Sequence, residues 1–226
     1  MIASTYKHDF IDFMIRSGVL TFGDFVTKSG RPTPYFINSG NYNTGRQVKN
    51  LGEYYARAIR DSIRSEFDNI FGPAYKGIPL AVVTAAALWD CYSLDISFTF
   101  NRKEAKDHGE QGRLVGHQYN DGERVIIVED VVNAGTSIHE SVALLREAAY
   151  IRFVGIVVAV DRMERGRGEQ SALVEIQEEM GIRTFAIVTI REVVDYLHGR
   201  EIDGRIVIDD EMAARIDAHL FEFGAG

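Results

Sequence analysis

Val125–Ile138 reads VIIVEDVVNAGTSI. Four apolar residues, all β-branched, lead into two adjacent carboxylates, Glu129 and Asp130. A segment of small residues follows. A run that is apolar on both faces predicts a strand buried inside a sheet. Ser137-Ile138-His139-Glu140 has the Ser-x-x-Glu form of a capping box, which puts a helix start near Thr136 or Ser137. Asn133, Ala134, Gly135 and Thr136 then lie between strand end and helix start. Small residues there let backbone amides close around an anion, and the positive end of the helix adds to the field. Thr136 and Ser137 add hydroxyl donors. The two carboxylates would repel a phosphate, but they can accept hydrogen bonds from the vicinal hydroxyls of a sugar. One short segment thus offers both halves of a ribose 5-phosphate site. The fragment alone also fits an ordinary loop with a capping serine and two solvated acids. Its spacing matches neither the Walker loop nor the dinucleotide Gly-x-Gly-x-x-Gly pattern.

Working outward, apolar runs recur at Asn69–Phe71, Ile96–Phe100, Phe153–Val160 and Thr184–Val188, separated by helical patterns at Leu80–Cys91, Ser137–Tyr150 and Gly168–Met180. Alternation of this kind predicts an α/β fold, a central parallel sheet flanked by helices. Before it come a helix from about Lys7 to Arg16, short strands near Phe22–Thr27 and Tyr35–Asn38, and a helix from about Val48 to Phe67. These suggest a small N-terminal α+β unit. After His198 the spacing of Met212, Ile216 and Leu220 is helical, with no legible chemistry. No linker or repeat divides the chain, so a single domain over residues 1–226 is expected.

The 226 residues are 46% hydrophobic and 26% charged, with a net charge of -8. That balance argues against nucleic acid as a partner, since wrapping a polyanion needs a basic face. Cys91 has no partner for a disulfide and reads as a buried or idle thiol. Lys7, His8, Asp9 and Asp12 fall where a signal peptide needs its apolar core, and no window approaches a membrane span, so a cytoplasmic protein with no membrane contact is expected.

Three further segments carry cations. Asn101–Gly112, NRKEAKDHGEQG, holds Arg102, Lys103, Lys106 and His108, has no apolar face and ends near glycine, as a lid or a solvated surface loop would. Phe71–Ala81, FGPAYKGIPLA, is another strand-to-helix transition, with Tyr75, Lys76 and Gly77. Lys76 can meet a diphosphate as a point charge, and Gly77 lets backbone come close. Phe25–Asn38, FVTKSGRPTPYFIN, carries Lys28 and the pair Tyr35–Phe36, which composition alone would assign to the core.

Together with VDRMERGRGE, these stretches resemble the orotate phosphoribosyltransferases, of the type I phosphoribosyltransferase family, from about Phe10 to Tyr196. The acidic pair followed by Gly135–Thr136 resembles that family's motif for 5-phosphoribosyl 1-diphosphate (PRPP). The resemblance implies that residues of about 1–45 form a hood over the base site. It implies that Glu129 and Asp130 hold the ribose hydroxyls, and that Asn133, Ala134, Gly135, Thr136 and Ser137 hold the 5'-phosphate. Tyr75 and Lys76 would face the diphosphate. Arg102, Lys103, Lys106 and His108 would belong to a lid that closes onto the neighbouring subunit of a homodimer. Lys28, Tyr35, Phe36, Asn133 and Arg162 would line the orotate side. Asp130, Lys106 and His108 would be catalytic, with Mg²⁺ held mainly by substrate oxygens and water rather than by dedicated metal residues. The family commonly has Thr where Asn133 stands and Asp where Glu129 stands; the first change alters a hydrogen-bonding group near orotate, the second lengthens an acidic arm. Another base phosphoribosyltransferase, or a non-catalytic PRPP sensor, would share the Glu129–Ser137 segment. No decarboxylase domain of the kind fused to some relatives is expected.

Overall fold

The computed structural model describes residues 3–27, 30–104 and 112–225. The chain opens with α1 (Ala3–Arg16), whose Tyr6, Phe10 and Met14, four residues apart, form one buried face. It continues into the hairpin β1 (Leu20–Val26) and β2 (Pro32–Ile37), antiparallel with Leu20 opposite Ile37 and Val26 opposite Pro32. A 3₁₀ turn at Ser39–Asn41 leads to α2 (Gly45–Ser62). Thr44 and Gln47 cap α2 reciprocally, satisfying donors that the first helical turn leaves open.

Strands and helices then alternate: β3 (Asn69–Gly72), α3 (Gly77–Tyr92), β4 (Ser97–Asn101), β5 (Leu114–Gly116), β6 (Arg124–Glu129), α4 (Thr136–Ala148), β7 (Arg152–Asp161), α5 (Ala172–Met180), β8 (Thr184–Thr189) and α6 (Ile190–Leu197). The short pair β9 (Glu201–Ile202) and β10 (Arg205–Ile206) precedes α7 (Asp210–Phe223). The main sheet has the order β5-β4-β3-β6-β7-β8, parallel except for β5. Side chains of β6 alternate between two cores. Ile126 and Val128 pack with residues of α1, α2 and α3; Val125 and Ile127 pack with Ile138, Val142 and Leu145 of α4 and Leu173 and Ile176 of α5. Burial on both faces explains why the strand reads as an unbroken apolar run.

The expected α/β architecture, with its N-terminal helix and hairpin, is present, and the differences are local. The antiparallel edge strand β5 has only the three residues Leu-Val-Gly and leaves no periodic signal. Helix α2 stops at Ser62 and α5 starts at Ala172, each shorter than its pattern suggests. Helix α4 does start at Thr136, but without the expected capping box: Gly135 is its N-cap, with no side-chain hydrogen bond. Cys91 is exposed, on the overhanging last turn of α3.

The chain leaves β3 through α3 towards β4 on one side, and leaves β6 through α4 towards β7 on the other. Between β3 and β6 the winding reverses. Ligands of open parallel sheets bind in the crevice that such a reversal leaves at the carboxyl ends of the strands.

Candidate functional site

Gly72 and Glu129 end the two strands at that crevice, with Phe71 paired one step earlier to Ile127. Glu129 and Asp130 are both buried, which removes the alternative of solvated turn acids. The Glu129 carbonyl accepts from the Tyr55 hydroxyl at 2.7 Å, and its Oε1 accepts from the Asp130 amide at 3.1 Å. The Asp130 carbonyl is tied to the Ala159 amide of β7 at 3.0 Å. Its Oδ1 accepts from the Val131 amide at 2.8 Å, and its Oδ2 accepts from Lys76 Nζ at 2.9 Å and Ser39 Oγ at 2.5 Å. Burial, reinforced by the charge of Asp130, pushes the Glu129 carboxyl up to about 7.

Asn133, Ala134 and Thr136 are exposed, and Ser137 is half-buried. Among the described residues, no backbone N–H from Asn133 to Ser137 donates a hydrogen bond. Gly135 sits at φ +71, and a Cβ there would lie 3.0 Å from Ile176 Cδ1. The turn therefore needs glycine at this position. Five unspent donors at the start of a helix, beside two buried acids, can hold an anion and a polyol together.

Lys76 reaches Asp130 because β3 and α3 approach closely at Gly72 and Gly77, and the Gly77 amide donates to the Pro73 carbonyl at 2.8 Å. Asn101 Oδ1, at the end of β4, accepts from the Ala74 amide at 2.7 Å. Tyr75 is exposed, with Lys103 Nζ 5.3 Å from its ring centroid. Arg102 donates its amide to the Arg113 carbonyl at 2.7 Å, and Asn101 is the strand partner of Leu114. The charged segment is thus a hairpin connection anchored at the carboxyl end of β4. Lys106 and His108 lie outside the described residues, as does Lys28.

The other end of the site follows β7, the strand beside β6. The Arg162 side chain is 9% exposed, and its guanidinium lies 4.6 Å from the Tyr35 ring centroid. Its Nη2 and Nε donate to Glu164 Oε1 at 2.6 and 3.1 Å. The same oxygen accepts from the Tyr35 hydroxyl at 2.8 Å and lies 2.9 Å from His219 Nε2. Burial alone would raise the Glu164 pKa, but hydrogen bonds from His219 and Arg162, with the Arg162 charge, outweigh it and lower it to about 2. Burial likewise raises the Tyr35 hydroxyl.

Tyr35 therefore meets Arg162, but inside the protein rather than on an open wall. Phe36, the next residue on the strand, points the other way: it is 43% exposed and stacks on Phe25 at 5.6 Å. Expecting both rings on one wall ignores the two-residue period of a strand. Ser39, Tyr55, Thr33, Glu164 and His219 were not anticipated. A carboxylate two residues after Arg162 was legible as a pairing signal; His219 gave none, because the docking of α7 is tertiary.

Glu129 has a direct stability consequence. A carboxyl raised from about 4.5 to about 7 on folding favours the folded state at low pH, and this contribution is lost as pH rises through that window. Glu129→Gln should therefore flatten the decline in stability between pH 4.5 and 7 and gain on the order of 2–3 kcal/mol above it. Urea unfolding of both proteins across that range measures the effect. Parallel profiles would show that Glu129 carries no such burden.

Among the described residues no three Asp, Glu, His or Cys side chains are grouped to hold a metal ion, and no helix is long and apolar enough to cross a membrane. Residues 38–200 match the model of the phosphoribosyl transferase domain. The chain is 55% identical to the orotate phosphoribosyltransferase of Clostridium beijerinckii over 97% of its own length and 98% of the relative's. It is 45% identical to that of Shigella dysenteriae over 97% and 98%. The crystal structure of the Francisella tularensis orotate phosphoribosyltransferase superposes with a TM-score of 0.82 at 33% identity, covering 96% of this chain and 99% of that one. A strand-end acid pair, an open amide turn and near full-length similarity to these relatives place the chain in the phosphoribosyltransferase family, among its orotate phosphoribosyltransferases.

Proposed function

We propose that the chain transfers the 5-phosphoribosyl group of PRPP to N1 of orotate, giving orotidine 5'-monophosphate and diphosphate, with the residue roles that follow. The observation that carries this reading is the meeting of two buried carboxylates, a lysine and an undonated row of amides at the reversal point of the sheet. The amides of Asn133, Ala134, Gly135, Thr136 and Ser137 take the 5'-phosphate. Glu129 and Asp130 take the ribose hydroxyls. Lys76, now on Asp130, is close enough to exchange that carboxylate for a diphosphate oxygen, with Tyr75, Arg102 and Lys103 beside it. Lys106 and His108 complete the lid over the leaving group. Arg162, above Tyr35, grips the orotate carboxylate, with Lys28 and Asn133 nearby, while Phe36 faces away from Arg162 and stacks on Phe25.

In the reaction N1 forms a bond to ribose C1 while the C1–O bond breaks and its electron pair leaves with diphosphate, which takes up the proton that N1 gives up. Positive charge grows on the ribose ring and negative charge on the leaving group. Asp130, held in place by Ser39 and the Ala159 amide, faces the first; the cations of Lys76 and the lid face the second. The buried charge of Asp130 is already held in place and needs no rearrangement as the ribose charge develops, and a closed lid keeps water from the ribosyl cation. Mg²⁺ would be held mainly by substrate oxygens and water rather than by dedicated protein ligands, and would supply neutralisation of the diphosphate charge. A homodimer, with each lid closing on its neighbour's site, and a cytoplasmic location belong to the same proposal.

The test is loss of orotate absorbance when PRPP and Mg²⁺ are added to purified protein, with uracil, adenine and hypoxanthine assayed in parallel. Turnover of one of those bases in place of orotate would overturn the base assignment. Tight PRPP binding without turnover of any base would overturn the enzymatic one.

A further inference from the structure

Glu164 is the acceptor for four donors on a single oxygen, and one of them comes from a helix that the reaction does not otherwise use. His219 of α7 lies 2.9 Å from that oxygen, next to Tyr35 (2.8 Å) and to Nη2 and Nε of Arg162 (2.6 and 3.1 Å). Glu164 stays ionised to about pH 2, so it only accepts, and His219 must present a protonated Nε2. Arg31 adds an ion pair to the second oxygen at 3.4 Å. The His219 ring also packs edge-on to Tyr35 at 5.9 Å, and Arg31 lies 4.6 Å from the Phe223 ring centroid on the same helix. Backbone contacts fix the end of α7 to this segment: the Arg165 amide donates to the Phe223 carbonyl at 2.8 Å, and the Ala225 amide to the Met163 carbonyl at 2.9 Å.

The effect on Arg162 is specific. A guanidinium has two faces suited to carboxylates, and Glu164 takes the one formed by Nε and Nη2. Nη2 also donates to Thr33 Oγ1 at 3.4 Å. Nη1 makes no hydrogen bond among the described residues. The side chain is thereby held in one orientation, with one set of N–H groups left to meet an incoming anion. We propose that Glu164, itself fixed by His219 of α7, is the positioning residue of the base site, and that α7 contributes to recognition of the carboxylated base by orienting Arg162. This rests on Arg162 being the residue that binds orotate.

The prediction concerns one substrate and not the other. His219→Ala should raise the KM for orotate about fivefold, the loss of one hydrogen bond, and Glu164→Gln about tenfold or more, because the bond lost there is charge-assisted. The KM for PRPP and kcat should stay within about twofold, because an oriented arginine on the base acts in binding rather than in C1–O cleavage. His219→Gln, whose amide nitrogen can replace Nε2 as donor, should recover most of the orotate affinity. Arg162→Lys is measured alongside. If it leaves the orotate KM unchanged, the base-site assignment is wrong and this inference falls with it. If Arg162→Lys weakens orotate while His219→Ala and Glu164→Gln do not, the assignment stands and the positioning role is overturned. Equal rises in both KM values, not rescued by His219→Gln, would show that α7 acts only as general support and would overturn it too. Should His219→Ala fail to fold, the His219→Gln and Glu164→Gln proteins decide the question by the same criteria.

Discussion

Asp130→Asn should lose roughly 10²–10³-fold in kcat/KM for PRPP while unfolding at nearly the same temperature, the scale seen when a fixed charge or dipole opposite developing charge is removed. The substitution keeps the size of the side chain and an oxygen that Ser39 can still donate to. It removes the negative charge that faces the ribose ring as the C1–O bond breaks. It also strands Lys76, whose Nζ sits 2.9 Å from Oδ2 and whose side chain is 53% exposed, so that it can turn to water at little cost to the fold. Steady-state kinetics with a thermal melt separate the two effects, and loss of activity matched by loss of structure would reassign Asp130 to a folding role. The same variant tests the shared lid. Mixed with Lys106→Ala under conditions that let subunits exchange, it should recover part of the activity, because one hybrid site then carries both native residues. Exchange without recovery would mean that each subunit works with its own lid.

Gly72→Ala should cost at least about 3 kcal/mol of stability, beyond the usual range for overpacking, because the new methyl has nowhere to go. Its Cβ would stand 1.9 Å from the Gly77 carbonyl oxygen and 2.5 Å from the carbonyl carbon, and both are backbone atoms held by β3 and α3. A flexible side chain could swing aside; a helix N-terminus packed on a strand end cannot. The strain falls on the connection that carries Tyr75 and Lys76. Whatever fraction folds should therefore bind PRPP more weakly, with orotate affinity less affected. Denaturant titration and the two KM values check the two halves. A variant as stable as the parent would show that β3 and α3 can separate at that point.

Much of this was legible because the chemistry sits where local pattern is strongest. The β-branched run of β6, the acids that end it and the small residues before α4 are consecutive, so one window of sequence contains strand, turn and helix start. Arg162 was singled out only through the family resemblance of VDRMERGRGE. The parts that were not legible depend on contacts across the chain. Tyr35 and Phe36 are adjacent in sequence and opposite in space. The capping box suggested by Ser137 and Glu140 is absent because Gly135 makes the turn through its backbone. Ser39 meets Asp130 from 91 positions away, and His219 meets Glu164 from 55. No periodicity in either segment encodes those meetings.

The three-residue strand β5 has a consequence for anyone who trims this protein. It is the return leg of the charged hairpin, and it also covers the outer hydrogen-bonding edge of β4, with Thr99, Phe100 and Asn101 facing Gly116, Val115 and Leu114. Excising the segment to isolate its kinetic contribution would leave a row of parallel-sheet amides and carbonyls without cover, a template for pairing with another molecule. Aggregation in such a truncation would report a bared sheet margin, and point substitutions are the sounder way to silence the hairpin's charges.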